Sequence, residues 1–341
     1  MRAYGRRKVL ALAAGLLAAT VACSGTPDTT PTRAANVSGG PVTTTPTTSP
    51  EAPAITPDEA REIFTEITAT DDVLRTAGDL RFAVDLTRDG LRDLTSAAFD
   101  SSGGRPPLRT WGQPTMLVPR FPADATSPWF SVLVPRDGQP TFLIFAKSTD
   151  KWRLSSAARL LPGEKVPEVE VDAQGYATAV PPDDKGVLIG PKFMAPLHAT
   201  VAEAGSGGVA ADLLSAGPYT TDIASQIAED RARWEQDGFT YDSILSAGEY
   251  PVFALRTKDG GALIQYTLTR TSTTTPATKS AESDGIPVPD DARWAISAAK
   301  LRRSLKVSEI HQYATSVPPA SAPTRAEVIA HDGGVTRASG D

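Results

Sequence analysis

The sequence predicts an α+β fold arranged as two tandem domains, residues 56–185 and 186–341, each with N-terminal helices packed on a curved antiparallel sheet. Three observations lead there. Thr56-Pro57-Asp58-Glu59 opens an apolar pattern of helical period, short β-type segments separated by turn residues follow from Thr115, and the same strand and turn signature returns in the C-terminal half.

Residues 1–22 read as a cleavable export signal. Arg2, Arg6, Arg7 and Lys8 form a cationic start, and Val9 to Val21 is an unbroken run of apolar and small residues. Such a run fits the ~7–15-residue core of a signal peptide, whereas a bilayer-spanning helix needs ~20. Small residues then precede a lone cysteine in Thr20-Val21-Ala22-Cys23-Ser24-Gly25, which resembles a lipobox, with Thr20 where an aliphatic residue is usual. The resemblance implies cleavage before Cys23, diacylglycerol on its thiol with palmitate-type acylation, and anchoring at the extracytoplasmic face of the cell membrane. Cys23 is the single cysteine of the chain, which excludes disulfides within it and cysteine-rich metal sites. Arg6-Arg7-Lys8-Val9-Leu10 resembles a twin-arginine signal with Gly5 in place of Ser or Thr, so that route and the general secretory route both stay open.

Residues 23–55 are Thr, Pro, Ser and Gly with almost no large apolar side chain, including Thr43-Thr44-Thr45-Pro46-Thr47-Thr48. Such a segment cannot bury enough surface to offset its ordering entropy and is expected to be a disordered tether, its threonines open to O-glycosylation.

Order is expected from Thr56, a helix cap, with Pro57 at the first helical position and Glu59 completing a capping box. Ala60, Ile63, Phe64 and Ile67 then place one apolar stripe on the helix. A second helical stretch is expected from Leu80 to Phe99, turned near Asp89-Gly90, and Gly103 to Pro107 breaks the pattern. Strands are predicted at Thr115 to Phe121, Trp129 to Val134, Thr141 to Lys147, Trp152 to Arg159 and Glu168 to Val180, the last with a turn at Gln174-Gly175. Asp137-Gly138 marks a hairpin turn.

The second half opens on a helix from Thr221 to Gln236, with Ile223, Ile227 and Trp234 on one side. Pro251-Val252-Phe253-Ala254-Leu255, Asp259-Gly260 and Ala262-Leu263-Ile264 echo Pro128 to Val132, Asp137-Gly138 and Phe142-Leu143-Ile144. Glu327-Val328-Ile329-Ala330 with Asp332-Gly333 echoes Glu168-Val169-Glu170-Val171 with Gln174-Gly175. Between them lies an expected insertion at about 271–308, beginning with the polar run Thr271 to Ser283. On these patterns the halves resemble the nuclear-transport-factor-like or cystatin-like cone folds. Over residues 56–341 the chain is similar to uncharacterised actinobacterial lipoproteins built from two such units, and its Ala, Pro and Thr content suits a GC-rich actinobacterial genome.

Loss of residues 1–22 removes four basic side chains and no acidic one, taking the net charge from −6 to −10. No basic stripe remains to track phosphates, which excludes nucleic acid as a partner. His198, His311 and His331 are far apart and stand in no metal-ligand spacing, so each is expected to be structural. No G-x-S-x-G elbow occurs, and the S-x-x-K strings Ser148 to Lys151 and Ser297 to Lys300 lack companion motifs. Gly205-Ser206-Gly207-Gly208 lacks the Lys-Ser/Thr of a phosphate loop and reads as a flexible connector. No catalytic, cofactor-binding or metal-binding residue is therefore assigned.

Cone folds sometimes use a carboxylate at the cavity mouth for proton transfer, and Asp71, Asp72 and Asp85 lie on the helices that would form one. Trp111, Trp129, Trp152, Trp234 and Trp294, with Phe121, Phe130, Phe142 and Phe145, are expected in the core, some of them lining a concave pocket. The expectation is a non-catalytic binding or adaptor lipoprotein of the cell envelope, its partner an envelope protein or an apolar small molecule. The alternatives are a cone-fold isomerase or cyclase acting through an aspartate, and an importer solute-binding protein, for which the alternating βα pattern is missing.

Overall fold

The computed structural model describes residues 52–341, so the export signal, Cys23 and all of the tether before Ala52 lie outside the described residues. Helix α1 (Pro57–Ala77) starts as the sequence predicts: the Glu59 N–H donates to Thr56 Oγ1 at 3.2 Å and the Thr56 N–H donates to the Glu59 carboxylate at 2.8 Å. Ile55, only 2% exposed, shares a core with Ala60, a hydrophobic staple across the cap. The Ala54 N–H donates to the Phe121 carbonyl at 2.9 Å. Ala54 and Ile55, which the sequence reading assigns to the tether, are thus held against the folded body. Helices α2 (Leu80–Asp85) and α3 (Asp89–Ser101) split near Asp89-Gly90 as expected, Asp89 taking φ 51° to redirect the chain.

A four-strand meander follows: β1 (Thr115–Pro119), β2 (Trp129–Arg136), β3 (Gln139–Ser148) and β4 (Lys151–Leu160). Asp137 and Gly138, at φ 53° and 81°, make the β2–β3 turn in the left-handed conformation that matches strand twist. Residues 168–180 hold less strand than predicted. The Asp172 carboxylate accepts from the Gln174 and Tyr176 N–H groups, both at 2.9 Å, folding a turn that leaves only β5 (Tyr176–Ala177), parallel to β1.

The second half carries α4 (Pro191–Ala204), α5 (Asp222–Gln236), β6 (Phe239–Ala247), β7 (Phe253–Arg256), β8 (Ala262–Pro276), α6 (Lys279–Asp284), β9 (Ile286–Pro287), β10 (Lys300–Leu301), β11 (Leu305–Val317) and β12 (Glu327–Gly340). Two sequence expectations change. Thr271 to Pro276 belong to β8, paired with β6 on one side and up to Thr274 with β11 on the other, so the excursion from the sheet shrinks to residues 277–304. β-branched threonines suit a pleated strand whatever their polarity. Asp332-Gly333 is no turn: both residues lie within β12, opposite Gln312 and His311.

Neighbouring strands run β5-β1-β2-β3-β4-β12-β11-β8-β6, with β7 also on β8, in one ten-stranded sheet. The pairings close into a ring, because residues 169–179 bridge to β7 at Ala179–Leu255 and to the residue after it at Val169–Thr257, while Tyr176–Ala177 pairs with β1. One core lies under α1 among Phe64, Phe130 and Phe145, and a second under α4 and α5 among Met194, Ile223 and Tyr266. A third draws on both halves, joining Phe142 and Ala158 to Leu255, Leu263 and Ile329. Two buried glutamines complete the junction. Gln265 Nε2 donates to Ser131 Oγ at 3.0 Å, and Gln312 accepts from the Ala157 N–H at 2.9 Å and donates to the Ser155 carbonyl at 3.2 Å.

Candidate functional site

A cleft of about 440 Å³ that combines aromatic, proline and charged side chains lies between α5, the far ends of β8 and β11, and the 277–304 excursion. Side chains alternate across a strand, so Arg270, Ser272 and Thr274 of β8 and Leu305, Val307 and Glu309 of β11 face the same side and make its floor. Trp234 of α5 and Tyr241 of β6 stand with ring planes 12° apart and form one wall. Pro287, Val288 and Pro289 form the opposite one.

The floor is polar and internally braced. Arg270 Nε donates to Ser243 Oγ at 2.8 Å and lies 3.6 Å from Glu309, while its Nη2 donates to Tyr241 Oη at 3.2 Å. Burial would raise the Glu309 pKa, but His311 and then Arg270 hold it below the usual carboxylate range. Glu309 is therefore an anion at neutral pH, matched by Arg270, and the floor as a whole carries little net charge.

Further along the same face of the sheet the structure gathers the three histidines that the sequence leaves scattered. The β11–β12 register sets His311 and His331 against each other, Nδ1 to Nε2 at 3.0 Å, with Glu309 3.9 Å from His311. Tyr313 packs at a tilt on His331, ring centroids 4.9 Å apart, and meets His198 edge-on at 4.7 Å. His198, fully buried on α4, bonds through Nδ1 to Tyr266 Oη at 2.8 Å and through Nε2 to the Tyr219 carbonyl. Burial pushes both His198 and His331 down to about 4, and burial raises Tyr266 and Tyr313. At neutral pH these four groups are uncharged. No group of three or more His, Cys, Asp or Glu among the described residues is arranged to hold a metal.

The aspartates singled out from the sequence separate. Asp71 accepts from Arg75 at 2.6 Å and lines a small cavity under α1, Asp72 accepts from the Arg109 N–H at 3.5 Å, and Asp85 pairs with Lys151 at 3.1 Å and Arg153 at 3.0 Å. Hydrogen bonds from Lys151 and Arg153 hold Asp85 below its ordinary value, the reverse of what a general acid needs. Ser148 and Lys151 flank the β3–β4 turn, and Ser297 and Lys300 lie in and after a loop, with neither pair assembled. Gly205 to Gly207 form one 3₁₀ turn closing α4, with Gly205 buried against α5. Trp234 alone of the tryptophans lines the cleft. Trp111 and Trp152 pack on Phe64 and Phe130, and Trp129 meets Phe253 across the two halves. The cleft itself escaped sequence reading because its floor begins in the threonine run, which reads as loop.

Residues 51–340 match the family described as a domain of unknown function, DUF8094. The chain belongs to this family. This DUF8094 chain is 26% identical over 324 residues, 88% of each chain, to an uncharacterized lipoprotein of Streptomyces coelicolor. It is 25% identical over 227 residues, 65% of each chain, to an uncharacterized lipoprotein of Streptomyces avermitilis. A second uncharacterized lipoprotein of Streptomyces coelicolor is 29% identical over 168 residues, covering 48% of this chain and 47% of the relative. No solved structure matches the DUF8094 chain. Among the described residues no helix is long and apolar enough to cross a membrane.

Proposed function

We propose that this DUF8094 protein is a lipid-anchored extracytoplasmic binding protein that takes a small molecule into the cleft beside Trp234. The anchor is Cys23, exposed as the new N-terminus when residues 1–22 are removed, and the segment before Ala52 is the tether to the membrane. Relatives named as lipoproteins support this placement. We read the two halves as tandem repeats of a cone-type unit. Each runs from helices into an antiparallel meander containing an Asp-Gly hairpin, Asp137-Gly138 in one and Asp259-Gly260 in the other.

The observation that carries the binding role is the cleft, whose size suits a small ligand and which combines an aromatic and proline wall with a charge-balanced floor. A floor in which Arg270 and Glu309 neutralise each other favours a neutral molecule rich in hydrogen-bonding groups. Trp234 offers such a molecule a flat apolar face. The test is native mass spectrometry of the full-length protein extracted gently from its own membrane, alongside Trp234→Ala. A discrete non-covalent mass, lost from Trp234→Ala, is the expected result; a bare polypeptide, or a ligand unaffected by the substitution, removes the cleft from the reading. Cys23→Ser is expected to shift the protein out of the membrane fraction, and retention there would overturn the anchor.

A further inference from the structure

A second cavity lies in the other half, independent of the cleft and of the lipid anchor. It is enclosed by α1, α3 and the face of β4 beneath them, with Ile67, Leu86, Leu91 and Leu154 as apolar walls. Three guanidinium groups, those of Arg75, Arg109 and Arg136, line it, against one carboxylate, Asp71. Arg75 is neutralised by Asp71 at 2.6 Å, and one end of Arg136 by Asp332. Among the described residues the Arg109 guanidinium has neither an ion pair nor a hydrogen bond.

Two N–H donors of this cavity are also left without partners: Arg136 Nε, on a side chain only 3% exposed, and the buried Trp111 Nε1. Buried donors are almost always satisfied, and each orphan costs about 1–3 kcal/mol, so two on residues lining one cavity mark a place where an acceptor belongs. The void of about 40 Å³ exceeds the roughly 10–15 Å³ that a cavity needs to hold a single water and takes a group of a few heavy atoms.

We infer that this cavity binds the carboxylate of a short apolar monocarboxylic acid, held by Arg109, Arg136 Nε and Trp111 Nε1, with its hydrocarbon end among Ile67, Leu86, Leu91 and Leu154. A carboxylate is an acceptor only, with lone pairs enough for all three groups, and it brings the counter-charge for Arg109. The apolar walls select against inorganic oxyanions, which would bury unsatisfied oxygens against leucine. Consistent with this, burial, followed by the neighbouring Arg136 and Arg75, lowers Arg109 to about 10, a strain that a bound anion relieves.

The experiment is thermal unfolding and tryptophan fluorescence of the full-length protein in non-ionic detergent at low ionic strength. The probes are propionate, butyrate and hexanoate, the matching alcohols, and inorganic phosphate. Butyrate is expected to raise the unfolding midpoint with concentration and to alter tryptophan emission, while butanol does neither. Arg109→Gln, at a partly buried loop position, is expected to weaken the carboxylate effect about tenfold, and Trp111→Phe, which keeps the ring and loses the N–H, to weaken it measurably. No carboxylate effect up to about 50 mM, an equal effect of butanol, or an unchanged response in both variants overturns the inference. A response to phosphate in place of the acids overturns the choice of an apolar acid.

Discussion

Substituting Gln312 by Met tests whether the two halves are held together by the side-chain bridge described above. In β4 the ladder to β3 skips a residue at Ser155, and β12 pairs with β4 only at Leu160 and Arg159. The Ser155 carbonyl and Ala157 N–H therefore face the second half with no strand beside them, and the fully buried Gln312 supplies both partners, at 3.2 Å and 2.9 Å. Methionine fills nearly the same volume but leaves both groups orphaned. At about 1–3 kcal/mol per unsatisfied buried group, and allowing for partial relaxation, the loss is about 2–4 kcal/mol. For a body of this size each kcal/mol moves the midpoint by about 2 °C, so differential scanning calorimetry should show a fall of about 4–8 °C. Gln312→Glu keeps an acceptor for the Ala157 N–H, yet as an anion it turns an oxygen towards the Ser155 carbonyl. Burial raises the pKa of such a carboxyl, so that variant should lose stability as pH rises above about 4, the free-glutamate value. A Gln312→Met midpoint within about 1 °C of the wild type would refute the reasoning, since it would mean that the two groups find other partners at no cost.

Two further predictions concern the histidine cluster and the seat of α3. His198 and His331 have folded pKa values of about 4, pushed down by burial, against about 6.5 in the unfolded chain. The unfolded state binds more protons in this window, so the stability these groups contribute is present in full above pH 6.5 and is lost as pH falls towards 4. The loss is on the order of 3 kcal/mol for each. Urea midpoints at pH 7 and pH 5 should show it, and an equal or higher midpoint at pH 5 would contradict the burial of neutral imidazoles; His331→Gln should flatten the dependence. At Gly90, a Cβ would meet Ile310 Cγ2 and Thr267 Cγ2 at 2.9 Å each. Gly90→Ala should therefore destabilise by about 1–3 kcal/mol, although helix propensity alone predicts a gain of up to about 1 kcal/mol. A stabilised Gly90→Ala would show that α3 does not seat against the second half-sheet as tightly as drawn.

The elements legible in the sequence are those whose signals are local. The α1 capping box, the break at Asp89-Gly90, the Asp137-Gly138 hairpin and helix α5 each depend on a few neighbouring residues whose own stereochemistry selects the conformation. Helix α4 was not legible, because Pro196 inside it reads as a breaker and its buried residues Met194, Ala195, His198, Ala199, Val201 and Ala202 spread too broadly for one amphipathic stripe. The second-half strands were half legible. Alternation marks a strand, but the threonines of β8 and the Asp-Gly within β12 look like loop until partner strands on both sides satisfy their backbone.

The proposed export signal and lipidation of Cys23 rest on the linear order of residues alone, with no folding required. The histidine cluster, the cleft and the arginine-lined cavity could not. His311 and His331 meet only through the β11–β12 register, while Arg75, Arg109 and Arg136 come from a helix, a loop and a strand that converge when α1 docks on the sheet. Strand register and helix docking are settled by burial and hydrogen bonding summed over the whole body, and it was at that level that these sites came into being.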